Sequence, residues 1–307
     1  MHLFISSIKG FGSVQSANIG NNKSRQYLIN PNLNSLKMDK FECNKKDISF
    51  SALNPEKLAT DLNKIVQSAK DSGLVLEVEN GFVNHLVQKI TQKPYKPLIV
   101  AVAGEPASGK TTLANNITET IVKLSDPQTK MISAISCDNY YEDLTKQLKL
   151  HGDYTGILNS GYDPHNPSAQ DLPLLKRHLS ALKSGEDVLI PDYDFASCES
   201  VANRIKVPSA KTIIYEGIFA LNPIFKDLSD IKIYVDAPSK IIEDRYLKRA
   251  ISRGKDEAAA KKLLFDLNDS TQKYIASARE NANLVINGTS QGEKLVSFIN
   301  QIHEALK

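Results

Sequence analysis

Apolar residues along the chain gather into short runs, and the stretches between those runs repeat their apolar positions every three to four residues. The runs at 98–103, 131–137, 188–191, 212–215, 231–235 and 284–286 have the length and composition of strands buried on both faces. Residues 112–123 and 172–183 carry helical spacing. Ser168-Ala-Gln-Asp171 reads as a capping box opening the second of these helices, with Gly185 as its stop. Strand and helix in alternation predict that these runs share one mostly parallel sheet. Right-handed crossovers then cover both of its faces, giving a three-layer α/β/α sandwich. Ahead of the first run, Leu58, Leu62, Ile65 and Val66, then Phe82, Val83, Leu86, Val87 and Ile90, predict two short helices, and Pro94 and Pro97 mark a joint. The expected organisation is a tail over 1–37, a helical extension over 38–95 and a main α/β domain over 96–307.

Directly behind the first run stands Gly104-Glu105-Pro106-Ala107-Ser108-Gly109-Lys110-Thr111, followed by Thr112. A strand that feeds a glycine-bounded loop opening a helix is the phosphate-binding P-loop of the nucleoside triphosphatase folds. Its amides and the helix N-terminus point at an anion, Lys110 reaches the β and γ phosphates, and the Thr111 hydroxyl is placed for Mg²⁺. In open α/β sheets ligands lie beyond the carboxyl ends of the strands. That rule singles out Asp138, after the second run, and Glu216, at the end of another. A metal-bound triphosphate needs a carboxylate for the metal, and an alcohol acceptor needs a base for its proton. The same two carboxylates would also serve as ordinary caps of the segments that follow them.

Composition narrows the alternatives without choosing among them. The 307 residues are 41% hydrophobic and 24% charged, with a net charge of +3 drawn from interspersed residues. That is an ordinary globular balance, and it argues against a nucleic-acid surface. Cys43, Cys137 and Cys198 are too widely spaced for a zinc cluster or a disulfide scaffold, which makes a reducing cytoplasm the expected setting. The longest apolar run falls far short of the roughly 20 residues a membrane span requires. The first 37 residues contain no Asp or Glu but include Lys9, Lys23, Arg25 and Lys37. This suits an organelle-targeting segment, a tail, or a chain whose first residue is Met38.

Beyond the P-loop, ordered motifs over residues 98–288 resemble the uridine kinase and phosphoribulokinase family of P-loop kinases. Ser136-Cys-Asp-Asn-Tyr-Tyr141 is similar to the family's segment with the catalytic aspartate, which implies Asp138 as general base and Tyr141 on the acceptor side. Tyr162-Asp163 resembles its aromatic-Asp pair, implying that Asp163 bonds the acceptor. Pro191-Asp-Tyr193-Asp-Phe195 resembles its Pro-x-Tyr-Asp-Phe segment, placing Tyr193 against the acceptor. Tyr215-Glu216-Gly217-Ile218 is similar to its Glu-Gly-Ile segment, with Glu216 and Thr111 at the metal. Residues 238–258 look like its mobile lid. There Arg245, Arg249 and Arg253 follow at i, i+4 and i+8 on one helical face, Arg245 toward ATP and Arg249 and Arg253 toward the transferring phosphoryl group. The resemblance implies ATP and Mg²⁺, a small-molecule alcohol as acceptor, and no nucleic-acid or membrane partner; it leaves homo-oligomerisation open.

Two positions depart from that pattern. Uridine and cytidine kinases carry a base-reading His shortly after Tyr-Asp-Phe and an Arg two residues later, where this chain has Cys198 and Ser200. A pyrimidine edge would then be poorly matched, which opens the acceptor to another nucleoside, a sugar phosphate, or an alcohol of pantothenate or glycerate type. His165 and Asn166, in a nearby loop, are candidates to substitute for the missing pair, although a loop histidine is more often merely solvated. A GTPase switch is disfavoured, because its Asn-Lys-x-Asp motif occurs only as Asn44-Lys45-Lys46-Asp47, upstream of the P-loop. A non-catalytic nucleotide-binding regulator is disfavoured by the joint presence of Lys110, Thr111, Asp138 and Glu216.

Overall fold

A computed structural model describes residues 54–92, 96–125, 130–252, 254, 256–290 and 292–306. The tail, Asn44-Lys45-Lys46-Asp47 and Arg253 lie outside the described residues. In chain order the elements are α1 (Pro55–Asp71), β1 (Val75–Val78), α2 (Phe82–Thr91), β2 (Leu98–Ala103), α3 (Lys110–Leu124), β3 (Ile132–Ser136), α4 (Thr145–His151), α5 (Tyr154–Asn159) and α6 (Leu172–Lys183). They continue with β4 (Val188–Asp194), β5 (Glu199–Val207), β6 (Thr212–Glu216), β7 (Ile231–Asp236), α7 (Ser239–Ser252), α8 (Glu257–Asp266), the single turn α9 (Asn268–Ser270), β8 (Leu284–Asn287) and α10 (Glu293–Ala305).

Six strands form the main sheet in the order β1-β8-β7-β2-β6-β3. All neighbours are parallel except β1, which runs antiparallel to β8. Side chains of a strand alternate between faces, and the core divides accordingly. Ile99, Ala101 and Ala103 of β2, with Ile213 and Tyr215 of β6, pack against Leu172, Leu175, Leu179 and Leu182 of α6. Val100 and Val102, with Ile214, Ile233 and Val235, face Leu113 of α3, Leu295 of α10 and the extension. This is the expected P-loop α/β/α sandwich.

Three expectations are corrected. The run at 188–191 does not join the main sheet; β4 pairs antiparallel with β5, a strand too polar to register as an apolar run, and the two make a separate sheet. Helix α6 starts at Leu172 as expected, but its N-cap is Asp171, whose carboxylate accepts from the Leu174 amide at 2.8 Å. Ser168 belongs to a preceding 3₁₀ turn capped by Asn166, so the Ser168–Asp171 capping box is absent. Finally, the extension contains a strand between its two helices. β1 adds to the sheet edge at β8, and Leu58, Leu62, Phe82, Val83 and Val87 join the core cluster of Val100 and Val102.

Asp230, at the entry to β7, ties these layers together from a buried position. Its carboxylate accepts from the Ile99 amide at 2.9 Å and from Lys183 Nζ at 3.0 Å, with Lys89 of α2 at 3.6 Å. Removing one side of a buried ionic group leaves the other uncompensated. Asp230→Ala is therefore expected to lower the unfolding free energy by about 3 kcal/mol. Denaturant titration at neutral pH checks this.

Candidate active site

The P-loop, residues 104–109, is shaped by contacts that only small residues permit. Gly104 has φ +154°, and a Cβ there would stand 2.5 Å from Ser108 Oγ and 2.6 Å from the Val235 carbonyl oxygen. A Cβ on Gly288 would fall 2.1 Å from the Ser108 carbonyl oxygen. Between them run Glu105, Pro106, Ala107 in the left-handed region at φ 69°, the fully buried Ser108, and Gly109 at φ 108°. Gly109 is the N-cap of α3 and supplies no side-chain hydrogen bond to it. The first-turn amides of α3, from Lys110, Thr111 and Thr112, are thus presented to the loop, an arrangement that attracts an anion. Lys110, at the start of α3, is itself buried at 8% exposure. Burial, reinforced by Asp236, raises the Glu105 carboxyl above its ordinary range.

Opposite Lys110 lies the end of β6. Register places Glu216 beside Val102 on one side and Ser136 on the other. The Thr111 hydroxyl donates to Glu216 Oε2 at 3.0 Å and the Ser136 hydroxyl to Oε1 at 3.0 Å. Ser136 Oγ also accepts from the Asp138 amide at 3.3 Å, so one chain of hydrogen bonds runs from Thr111 through Glu216 to Asp138. Asp138 lies two residues past its strand, in the 3₁₀ turn Cys137–Tyr140. Cys137 is fully buried, and a Cβ on Gly217 would approach its Cβ to 2.4 Å; that close fit draws the two strand ends together. Burial, with Glu216 and Asp138 adding, pushes the Cys137 thiol well up, so it remains an unreactive spacer.

Among the described residues no group of three His, Cys, Asp or Glu gathers to hold a metal. Thr111 and Glu216 nonetheless fit Mg²⁺, which is commonly bound through one carboxylate, phosphate oxygens and water.

The residues expected on the acceptor side share one cluster. Tyr141, Tyr193 and Cys198 are buried with Leu144, Ile157 and Ala169, and Tyr154 and Tyr162 pack at the margin. The Tyr141 and Tyr193 rings lie 5.5 Å apart, and Tyr141 donates its hydroxyl to the Pro164 carbonyl at 3.3 Å. Burial raises both phenols, so they stay protonated. Asp163 Oδ1 accepts from the His165 amide at 2.8 Å. Cys198, at φ 54°, turns its thiol into this cluster, and the Ser200 amide donates to Asp143 at 3.0 Å. Neither offers the charged or imidazole edge of the pyrimidine-reading pattern.

Of the arginines on α7, Arg245 donates to the Ser108 and Gly288 carbonyls, both at 3.2 Å, and so braces the P-loop from behind. Arg249 lies 5.8 Å over the Tyr246 ring. Three features escaped sequence reasoning. Ser136 was visible two residues before Asp138, but its bond to Glu216 depends on strand register. Arg279 makes a bidentate pair with Glu77 of β1 at 2.7 and 3.0 Å and reaches Asp236 at 3.2 Å, joining the extension to the edge of the phosphate site. The expected solvated loop histidine is instead buried at 8% exposure, because the turn around Thr271 folds over it.

Sheet, loop and carboxylates define a P-loop nucleotide-binding α/β protein. The family model described as phosphoribulokinase / uridine kinase matches residues 99–294, and the chain belongs to that family, which makes it a small-molecule kinase. It is 30% identical over 190 residues to a uridine kinase of Halobacterium salinarum, covering 61% of this chain and 78% of that one. To a uridine kinase of Lactobacillus helveticus it is 30% identical over 222 residues, 67% of this chain and 97% of the other. A solved D-glycerate 3-kinase from Cryptococcus neoformans superposes with a TM-score of 0.45 at 14% identity, covering 74% of this chain and 97% of that one. No helix among the described residues is long and apolar enough to cross a membrane.

Burial lowers the His165 imidazole to about 4, against the opposing pull of Asp163 and of a hydrogen bond to the Leu267 backbone, with Lys110 and Arg249 adding to the lowering. An unfolded imidazole titrates near 6.5, so between these values the unfolded chain holds a proton that the folded chain lacks. His165 therefore contributes fully above pH 6.5, and its contribution declines as pH falls toward 4, by up to about 3 kcal/mol. His165→Gln is expected to flatten the pH dependence of unfolding free energy across this window, as read by denaturant titrations at stepped pH.

Proposed function

We propose that the chain transfers the γ-phosphoryl group of ATP to an alcohol of a nucleoside-like or sugar-like acceptor. The observation that carries this reading is the hydrogen-bonded line from Thr111 through Glu216 and Ser136 to Asp138, which sets a candidate metal ligand and a candidate base on one side of the P-loop. Lys110 and the amides at the start of α3 would hold the β and γ phosphates. Thr111 and Glu216 would hold Mg²⁺, which would supply positive charge to offset that of the phosphates.

Asp138 takes the hydroxyl proton as the acceptor oxygen bonds to the γ-phosphorus and the bond to the bridging oxygen breaks, releasing ADP. Arg249 offsets charge on the transferring group, with Arg253 proposed for the same task from sequence alone. Arg245 supports the nucleotide site through the loop it braces. Tyr141, Tyr162, Asp163 and Tyr193 line the acceptor's place. Cys198 and Ser200 favour an acceptor other than a pyrimidine nucleoside, such as a sugar phosphate or a glycerate- or pantothenate-type alcohol.

The test is an ATP-dependent phosphorylation screen over nucleosides, sugar phosphates, pantothenate and glycerate, read by mass spectrometry. At least one alcohol is expected to gain a phosphate, and transfer to none of them refutes the reading. On the alcohol found, Asp138→Asn is expected to lower kcat about 10²- to 10⁴-fold with KM for ATP little changed. Wild-type transfer rates in that variant would remove Asp138 from the base role.

A further inference from the structure

The P-loop rests on two short pieces of chain, the end of β7 and the residue after β8. Room for a Cβ on Gly104 is taken by the Val235 carbonyl oxygen at 2.6 Å, and on Gly288 by the Ser108 carbonyl oxygen at 2.1 Å and the Asp236 carbonyl oxygen at 3.2 Å. The Gly288 amide donates to that Asp236 carbonyl at 2.7 Å, and Arg245 holds the Ser108 and Gly288 carbonyls from α7. The backbone of Val235, Asp236 and Gly288 thus fixes where the loop lies.

This platform carries a charge of the wrong sign for an anionic ligand. The Asp236 carboxylate stands close enough to the P-loop to add to the burial that raises the Glu105 carboxyl, one residue past Gly104. A triphosphate held in the loop meets the same repulsion. Arg279 offsets it. Its Nε donates to Asp236 Oδ2 at 3.2 Å, while Nη1 and Nη2 donate to the Glu77 carboxylate of β1 at 3.0 and 2.7 Å. The opposition registers at the buried Tyr234 phenol, two residues before Asp236: burial raises it, Glu105 and Asp236 add to the rise, and Arg279 works against it.

A guanidinium is a planar fork of donors in fixed directions. With both Nη atoms taken by Glu77, its rotation is set and Nε faces Asp236. The side chains of Glu77, Arg279 and Asp236 are 58%, 35% and 34% exposed. Ion pairs this open to water contribute little to stability, so removing them leaves the fold standing. What the bridge sets is the charge and the position of the platform under the loop.

Resting on the reading of the P-loop as a nucleotide site, we propose that Arg279 is a positioning residue for the nucleoside triphosphate. Oriented by Glu77 of the extension, it offsets the Asp236 charge beside the P-loop and so sets the affinity for the triphosphate. The extension thereby takes part in nucleotide binding without touching the nucleotide.

Calorimetric titration of the full chain with ATP and Mg²⁺ tests this without turnover. Arg279→Gln is expected to raise Kd about fivefold. Adding Asp236→Asn to that variant is expected to return Kd to within about twofold of wild type, because the charge that Arg279 offset is then gone. A merely structural bridge gives no such rescue. Glu77→Gln is expected to raise Kd at least about twofold although it removes a negative charge, since Arg279 loses its orientation. Wild-type affinity in Arg279→Gln, failure of Asp236→Asn to restore it, or binding in Glu77→Gln as tight as wild type or tighter overturns the proposal while leaving the kinase reading intact. A wild-type chain that binds neither ATP nor GTP refutes the nucleotide site itself, and the proposal with it. If Arg279→Gln does not fold, the sign of the Glu77→Gln effect decides.

Discussion

A single carboxylate holds the phosphate end and the acceptor end of this site in register. Glu216 accepts the Thr111 hydroxyl with one oxygen and the Ser136 hydroxyl with the other, and Ser136 in turn receives the Asp138 amide. Glu216 is almost wholly buried, where an unpaired carboxylate would be costly, so these donors are required for the fold as well as suited to the chemistry. The consequence is geometric. The first turn of α3, the end of β6 and the turn after β3 cannot shift independently. Close packing of Gly217 on Cys137 and of Gly288 on the Ser108 carbonyl enforces the same constraint sterically.

Around that fixed centre the side proposed for the acceptor is built differently. It combines the β4–β5 hairpin, Tyr141, the loop 162–170 and the turn at Thr271, which meet through aromatic packing and a few side-chain hydrogen bonds. The P-loop and this cluster are thereby carried by different elements of the chain. The Cys198 thiol fills apolar space inside the tyrosine cluster.

The extension beyond the P-loop domain has a structural task that its helical pattern concealed. Its strand β1 lengthens the sheet, and Glu77 on that strand pairs with Arg279, which reaches Asp236 at the end of β7. Asp236 in turn adds to the burial that raises the Glu105 carboxyl of the P-loop. The four-residue strand β1 has only two of its residues fully or partly buried, so it leaves almost no periodic signal, whereas the helices on either side bury clear apolar faces.

What the amino-acid sequence determined by itself is whatever depends on neighbours along the chain. The glycine-bounded loop between β2 and α3, the parallel strands with their continuous apolar runs, the α6 helix and the identities of Lys110, Thr111, Asp138 and Glu216 all follow from local pattern, because strand burial, helix spacing and loop curvature are short-range properties. Tertiary structure alone decided that β4 leaves the main sheet for β5, that Asp171 and not Ser168 caps α6, that Arg245 turns onto the P-loop backbone, and that His165 is buried on Thr271, 106 residues away along the chain. Each of these outcomes depends on a partner distant in sequence. Which of several competent hydrogen-bond or strand partners is chosen is settled only when the layers pack and water is excluded.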